Sequence, residues 1–338
     1  MKIAIIGAGA IGGLLGFRLS AADHDVTLVA RGAHLAALQD RGTTLIDESG
    51  ETATRKVNAA DHLPAGRYDA VILAMKAHQV ADVVEGVAAA LSDDTIVVTA
   101  QNGIPWWYFQ KLAGPHEGSR VESVDPGGII SSHLPIANIV GSVVYPAAEI
   151  VSPGVIKHVE GNRFSIGEID GSDTPRIRAL SEALRESGFK APVLADIRTE
   201  IWTKLWGNLS LNPISALTHA TLVDICQDPP ARALVTRMMQ EAQSVAETLG
   251  VRFRVSLEKR IAGAEAVGAH KTSMLQDVEA GKQIELDALV GSVAELGRIA
   301  GVPTPTIDGV YALANLLAAT LRNQGGSLKL QTKSDRTS

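Results

Sequence analysis

The sequence holds a single cysteine, Cys226, among 338 residues, so no intrachain disulfide can form and a disulfide-framework fold is excluded. Aromatic residues make up only 4% of the chain, too few for the stacking platforms that usually hold single-stranded nucleic acid. Neither charge dominates: 31 Lys and Arg against 37 Asp and Glu leave a net charge of -6, and a pI near 5.9 offers no basic field to a polyanion. No uninterrupted apolar run reaches the length of about 18 residues that a membrane-spanning helix needs. The nine histidines are scattered, with no His-x-x-x-His pair and no His/Cys/carboxylate cluster at ligand spacing, so no metal is expected. A serine nucleophile elbow is missing as well, and Cys226, with no motif around it, reads as buried packing.

What is present is ordinary for globular protein: 46% hydrophobic and 20% charged residues, which excludes disorder for most of the chain. At roughly 100–200 residues per domain the length suggests two domains. The run Ile3–Phe17 has fifteen residues without a charge, but five are glycine and Arg18 interrupts before any cleavage site, which argues against a signal peptide. The chain is read as soluble and cytoplasmic, with a small-molecule substrate and neither nucleic acid nor membrane as partner. Apolar helices in the second half leave a homodimer open.

Short β-branched runs at Lys2–Ile6, Val26–Ala30, Tyr68–Ala74 and Thr95–Thr99 alternate with Ala/Leu/Val-rich helical stretches. That order implies right-handed crossovers and a mostly parallel, doubly wound sheet. Residues 43–57 read as extra strands around an Asp-Glu-Ser-Gly turn. Further strands are expected at Ile139–Val144, Val155–Val159 and Arg163–Ile166, and a helix at Thr174–Ser187 stopped by Gly188. Beyond Pro192 the pattern becomes long amphipathic helices. The expected organisation is an α/β Rossmann-type domain at 1–192, an all-α domain at 193–322 and a disordered tail at 323–338.

The first strand runs directly into Gly7-Ala8-Gly9-Ala10-Ile11-Gly12, which opens a helix. In that placement Gly7 allows a tight turn, Gly9 lets the backbone approach a pyrophosphate, and Gly12 lets helix and strand pack closely. The free N–H groups and dipole at the helix start then hold the phosphates. An NAD site usually ends its second strand with Asp or Glu on the ribose 2′-hydroxyl. Here the strand ends Ala30-Arg31, with no carboxylate to repel a 2′-phosphate and a guanidinium suited to one, so NADP(H) is favoured. The bland reading of Arg31 is a solvated loop charge.

On the helix beginning near Asp196, Lys204, Asn208 and Asn212 form one slowly drifting stripe, while Trp202, Leu205, Trp206 and Leu209 occupy another face. A lysine and two amides on one stripe can present donors to a carboxylate and an adjacent carbonyl. Reducing a ketone by hydride creates an alkoxide that needs a proton and electrostatic stabilisation, and a protonated lysine supplies both. The competing readings are a snorkelling surface lysine and, for Asn212 before Pro213, a helix N-cap.

This stripe resembles the ketopantoate reductase (2-dehydropantoate 2-reductase) family. The likeness extends to Met75-Lys76-Ala77-His78-Gln79, Gln101-Asn102-Gly103, Ser273-Met274-Leu275-Gln276-Asp277 and Ile284-Glu285-Leu286-Asp287, and runs from residue 2 to about 315. It implies a Rossmann domain followed by a helical one, and reduction of a 2-oxo acid by NADPH, with ketopantoate giving (R)-pantoate in pantothenate and coenzyme A biosynthesis. The resemblance makes Lys204 the general acid and has Asn208, Asn212, Ser273 and Asn102 contact the 2-oxo acid. It places Glu285, with a catalytic role, beside nicotinamide and substrate, and Lys76, Asn102 and Ala147 along the cofactor. Read from the residues alone, Glu285 either holds the lysine ammonium or merely starts a helix.

The sequence also departs from the family pattern. A Gly/Pro-rich insertion follows Gly103 and carries Trp106 and Trp107; Leu222 stands where Asn is frequent, and His270-Lys271-Thr272 precedes Ser273. These departures touch substrate recognition, so a reductase of bulkier 2-oxo acids, its pocket shaped by the tryptophan loop, stays open. So does core packing of that loop. A non-catalytic NADP sensor is the account from another class, and it has no need of the Lys/Asn stripe.

Overall fold

A computed structural model describes residues 1–327. The chain divides into two compact units, Met1–Ile201 and the residues from Trp202 onward.

The first unit is built on a seven-stranded sheet. In chain order its strands are β1 (Lys2–Ile6), β2 (Asp25–Val29), β5 (Asn58–Ala60), β6 (Ala70–Leu73), β7 (Ile96–Thr99), β8 (Ile139–Val144) and β11 (Phe164–Glu168). Their spatial order is β11-β8-β7-β6-β1-β2-β5, parallel throughout except for β11, which runs antiparallel to β8. The strand order turns back at β1, so the carboxyl edge beside β1 is the topological switch point where such sheets bind ligands. Strands β1, β6, β7 and β8 are buried along almost their whole length, which explains their continuous Ile/Val runs.

A second sheet has the order β4-β3-β10-β9, formed by β3 (Thr43–Ile46), β4 (Thr52–Arg55), β9 (Ala147–Ser152) and β10 (Val155–Glu160). The expected turn between β3 and β4 is present: Asp47 Oδ1 accepts the N–H groups of Ser49 (2.9 Å) and Glu51 (3.0 Å). Helix α1 (Ala10–Ala21) packs against strands of both sheets. Its glycines make that possible. A Cβ on Gly13 would stand 2.7 Å from Ile156 of β10, and one on Gly16 would stand 2.5 Å from Leu28 of β2. The glycine content of the uncharged N-terminal run is therefore a packing requirement on two faces of one helix.

Helix α2 (Gly32–Arg41) follows β2, and the short α3 (Val84–Ala88) and α4 (Ile129–His133) lie between strands. Helix α5 (Pro175–Glu186) is the one expected from Thr174: the Thr174 hydroxyl accepts the Ile177 N–H at 3.3 Å, and Gly188 leaves the helix at φ 84°. Two strands were not foreseen. Strand β5 reads Asn-Ala-Ala and has no β-branched residue, so its pairing with β2 defines it; β9 is a largely exposed hairpin partner of β10.

The second unit contains no strand among the described residues. It comprises the greater part of α6 (Ile197–Thr218), then α7 (Leu222–Gln227), α8 (Pro229–Thr248), α9 (Leu257–Ala266), α10 (Ser273–Glu279), α11 (Ser292–Ala300) and α12 (Pro305–Asn323). A π-helical turn, Asp287–Gly291, leads into α11. The division falls inside α6, past the boundary read at 192/193. The first turn of α6 is tied to β-unit residues: Arg198 donates to the carbonyls of Tyr108 (2.8 Å) and Gln110 (2.6 Å), and Glu200 accepts from Tyr145, Arg163 and Ser165. Of the expected tail, Asn323 is the last residue of α12 and residues 324–327 form a turn in which the Gly326 N–H donates to Leu321 O at 2.8 Å. The rest of that expected tail lies outside the described residues. Among the described residues no helix is long and apolar enough to cross a membrane.

Candidate active site

In the first unit the loop between β1 and α1 constrains two of its three glycines sterically and leaves the third open. Gly7 has φ 93°, and a Cβ there would meet the Met75 backbone nitrogen at 2.9 Å. A Cβ on Gly12 would overlap the Gly7 carbonyl oxygen, whereas Gly9 has nothing within 4 Å of its Cβ position. The amides divide their work. Gly7 and Ala8 donate to Val29 O at 3.1 and 2.9 Å and so build the turn itself. The N–H groups of Ala10, Ile11 and Gly12, in the first turn of α1, have no acceptor within the helix by its geometry. That turn contains no acidic residue, which suits an anion at the helix start.

A cavity of about 420 Å³ opens over this loop, lined among others by Gly9, Arg31, His34, Asp61, His62 and Met75. Arg31 is exposed at the start of α2. The second strand does end without a carboxylate, but Asp61, just past β5, lines the same cavity as Arg31. Its carboxyl lies 2.5 Å from His62 Nδ1, and that hydrogen bond holds it below the ordinary carboxylate range. Asp61 escaped sequence reading because β5 did. His34 was missed as well. Its Nδ1 accepts the Gly154 N–H (3.1 Å), which puts the proton of the neutral ring on Nε2, and burial lowers its pKa. That Nε2 is buried, and the Ala8 backbone, which also lines the cavity, works against the lowering of the ring's pKa. An open glycine, a guanidinium and a buried N–H donor around one cavity fit a phosphate-bearing nucleotide.

Lys76 lies just past β6, Asn102 just past β7 and Ala147 just past β8, so all three stand at the carboxyl edge that carries the glycine loop. None of the three lines the cavity described above. Gln101, beside Asn102, donates to Leu73 O at 2.6 Å and ties the β7 loop to β6. Trp106 and Trp107 do not line it either. Both are buried, at 6% and 0% exposure, and Trp107 Nε1 donates to Thr99 Oγ1 at 2.9 Å. Core packing of the insertion is what the structure shows.

In the second unit α6 presents the expected stripe. Trp202, Leu205, Trp206 and Leu209 are all essentially fully buried, and Trp206 Nε1 donates to Met239 O at 2.7 Å. That fixes the rotation of the helix and with it the line Lys204–Asn208–Asn212. Asn212 is no N-cap: Pro213 sits inside α6, which continues to Thr218. Asn212 is 5% exposed, and its Nδ2 donates to Ser273 Oγ at 3.4 Å. Ser273 is the first residue of α10, where Thr272 caps the helix by accepting the Leu275 N–H at 3.2 Å.

Lys204 keeps a little exposed surface, yet its ammonium is strongly desolvated, and burial pushes its pKa down from 10.5 to about 8. The Glu285 carboxylate works against that shift and the Arg260 guanidinium adds to it. Glu285 immediately precedes the helical turn that leads into the π-helix, and its carbonyl accepts the Leu289 N–H at 3.2 Å. Glu285 stands at a helix start, and its charge acts on the lysine. One unit thus holds a cavity over the glycine loop, lined by Arg31 and His34. The other holds an ammonium tuned towards neutrality, a carboxylate that opposes it and an amide–hydroxyl pair.

Comparison with known proteins accounts for both halves. The family model "Ketopantoate reductase PanE/ApbA" matches residues 3–171, and "Ketopantoate reductase PanE/ApbA C terminal" matches residues 196–318. A 2-dehydropantoate 2-reductase of Mesorhizobium japonicum is 52% identical over 319 residues, 94% of this chain and 98% of the relative. A crystal structure from Ralstonia solanacearum MolK2 superposes with a TM-score of 0.89 at 41% identity, covering 95% of this chain and 98% of that one. The 2-dehydropantoate 2-reductase of Methylococcus capsulatus gives a TM-score of 0.80 at 26% identity, covering 98% of this chain and 99% of that one. The chain belongs to the ketopantoate reductase family and is an oxidoreductase acting on a CH–OH group.

Proposed function

We propose that this enzyme reduces 2-dehydropantoate to (R)-pantoate with NADPH, in the route to pantothenate and coenzyme A, with Lys204 as general acid. The observation that carries the reading is the Lys204 ammonium, pushed to about 8 with a carboxylate, Glu285, acting on it. An acid works best with its pKa near the operating pH, and a buried cation stabilises a developing alkoxide far better than a solvated one. Glu285 holds the ammonium in place. Asn208, Asn212 and Ser273 orient the substrate, and the Asn212–Ser273 hydrogen bond pre-sets two of those groups. Asn102 is assigned to both substrate and cofactor.

NADPH supplies the hydride when bound. The residues assigned to hold it are Gly7–Gly12, Arg31, Lys76, Asn102, Ala147 and Glu285. Arg31 is the group suited to a 2′-phosphate, and Asp61, already engaged by His62, is the residue it must outweigh. Replacing Arg31 by Ala should raise KM for NADPH by about 10-fold or more, the scale of a charge-assisted hydrogen bond, and leave NADH use almost unchanged. Equal losses with both nucleotides would remove the 2′-phosphate role.

The deciding experiment follows NADPH oxidation with ketopantoate beside a panel of bulkier 2-oxo acids. A kcat/KM for ketopantoate well above the panel is the expected result. Turnover only with a bulkier acid would keep the chemistry and change the substrate. Silence across the panel with NADPH still bound would overturn the enzymatic reading. Burial of Trp106 and Trp107 supports the packing reading of their loop.

A further inference from the structure

A 2-oxo acid carries a carboxylate beside its carbonyl, and a lysine that gives its proton to the carbonyl oxygen is poorly employed as the carboxylate's counter-ion. The second unit contains another cation at this place. Phe253 stacks on Trp206 of α6 with ring centroids 4.2 Å apart, which seats the segment leading into α9 against α6. On α9, Arg260 then reaches back over Gly207. A Cβ built on Gly207 would lie 2.5 Å from Arg260 Nη2, 3.0 Å from Cζ and 3.3 Å from Nε, so the guanidinium occupies the space a side chain at 207 would fill.

The helical phase gives this position its meaning. At about 100° per residue, Gly207 lies about 60° to one side of Lys204, while Asn208 and Asn212 lie about 40° and 80° to the other. The ammonium is thus flanked by amides on one side and a guanidinium on the other. The electrostatic influence of Arg260 on Lys204 is consistent with that proximity.

We propose that Arg260 is the carboxylate-binding residue of this site and sets its specificity for 2-oxo acids over uncharged ketones. The guanidinium takes the carboxylate on the Gly207 side, with the carbonyl at Lys204 and the substrate's remaining polar groups towards Asn208 and Asn212. A planar fork suits this task better than an ammonium, because it donates two parallel hydrogen bonds to one carboxylate. The proposal rests on the reading of Lys204 as the acid of a 2-oxo acid reductase.

Two variants test it. Arg260→Gln removes the cation. Gly207→Ala leaves Arg260 in the chain but puts a methyl group where the guanidinium lies, and the change favours a helix intrinsically, with folding checked by circular dichroism. Both should raise KM for the 2-oxo acid by about 10- to 150-fold with a much smaller effect on kcat, the scale of a lost hydrogen bond to a charged group. Neither should change KM for the corresponding 2-oxo amide, and Arg260→Lys should recover part of the loss.

Oxamate, a non-reducible carboxylate with an adjacent carbonyl, provides the second readout. Its binding to the NADPH-loaded protein, measured by titration calorimetry, should weaken by a similar factor in both variants, with NADPH affinity unchanged. Equal KM increases for acid and amide, unchanged oxamate binding in the variants, or no oxamate binding to the wild-type protein would each overturn the proposal. Absence of turnover with every 2-oxo acid would instead count against the reductase reading, and the oxamate titration would still decide the role of Arg260.

Discussion

Lys204→Ala is expected to lower kcat by about 10²–10⁴, the usual contribution of a positioned general acid, with a smaller change in NADPH affinity. The loss should be larger than that of any single asparagine, because the ammonium both gives the proton and stabilises the negative charge on the carbonyl oxygen. Its pH dependence follows from the direction of the shift. Burial lowers the lysine to about 8, and the acid is competent only when protonated, so the reduction rate should be flat below that pH and fall about tenfold per unit above it. An unperturbed lysine would delay the fall to about pH 10.4. Glu285→Gln removes an attraction that props this pKa up, so the limb should move to lower pH, while the Arg260 guanidinium continues to push in the same direction as burial. Near-wild-type turnover by Lys204→Ala, or an alkaline limb near pH 10, would remove the general-acid assignment.

The parts of this molecule that could be read in advance are those whose signal is local. Lys2–Ile6 and Ile139–Val144 coincide with β1 and β8 because a strand buried on both faces must be written as an apolar run. The glycine loop was legible because its three glycines fall within six positions directly after a strand, and the α6 stripe because a period of 3.6 survives over about two turns. What escaped depends on partners distant in the chain. Strand β5 exists because β2 offers it an edge, and with β5 comes Asp61, a carboxylate lining the same cavity as Arg31. His34 acquires its place from Gly154 in a hairpin more than a hundred positions away, and Arg260 from an empty Cβ position on another helix. The domain boundary shows the same limit. Pro192 marks a change of texture, but the hydrogen bonds of Arg198 and Glu200 carry the first unit into α6. No periodicity distinguishes a pocket-lining tryptophan loop from a buried one; only its packing does.

That packing gives the second large expectation. Trp107→Ala should destabilise the first unit by about 3–5 kcal/mol, the range for removing a large aromatic side chain from a core. Trp107 is fully buried, and its ring fills the space above Gly141 of β8, where even a Cβ would come within 2.9 Å. Its Nε1–H satisfies Thr99 Oγ1 at the end of β7, so truncation leaves a cavity and also strips a buried hydroxyl of its donor. The Arg198 guanidinium lies 5.4 Å from the ring centroid, and burial has already lowered its pKa. With the indole gone, that cation loses an aromatic face while its carbonyl acceptors on Tyr108, Ile169 and Gln110 remain. Urea unfolding followed by far-ultraviolet circular dichroism should show a markedly lower midpoint for Trp107→Ala and a smaller shift for Trp107→Phe, which keeps most of the volume. The two accounts of the tryptophan loop separate on a second measurement. If the loop only packs the insertion, the ratio of kcat/KM values for ketopantoate and bulkier 2-oxo acids stays at its wild-type value in Trp107→Phe, because both tryptophans are buried side chains of the core. A ratio shifted by tenfold or more in a variant that remains folded would return the loop to the substrate pocket.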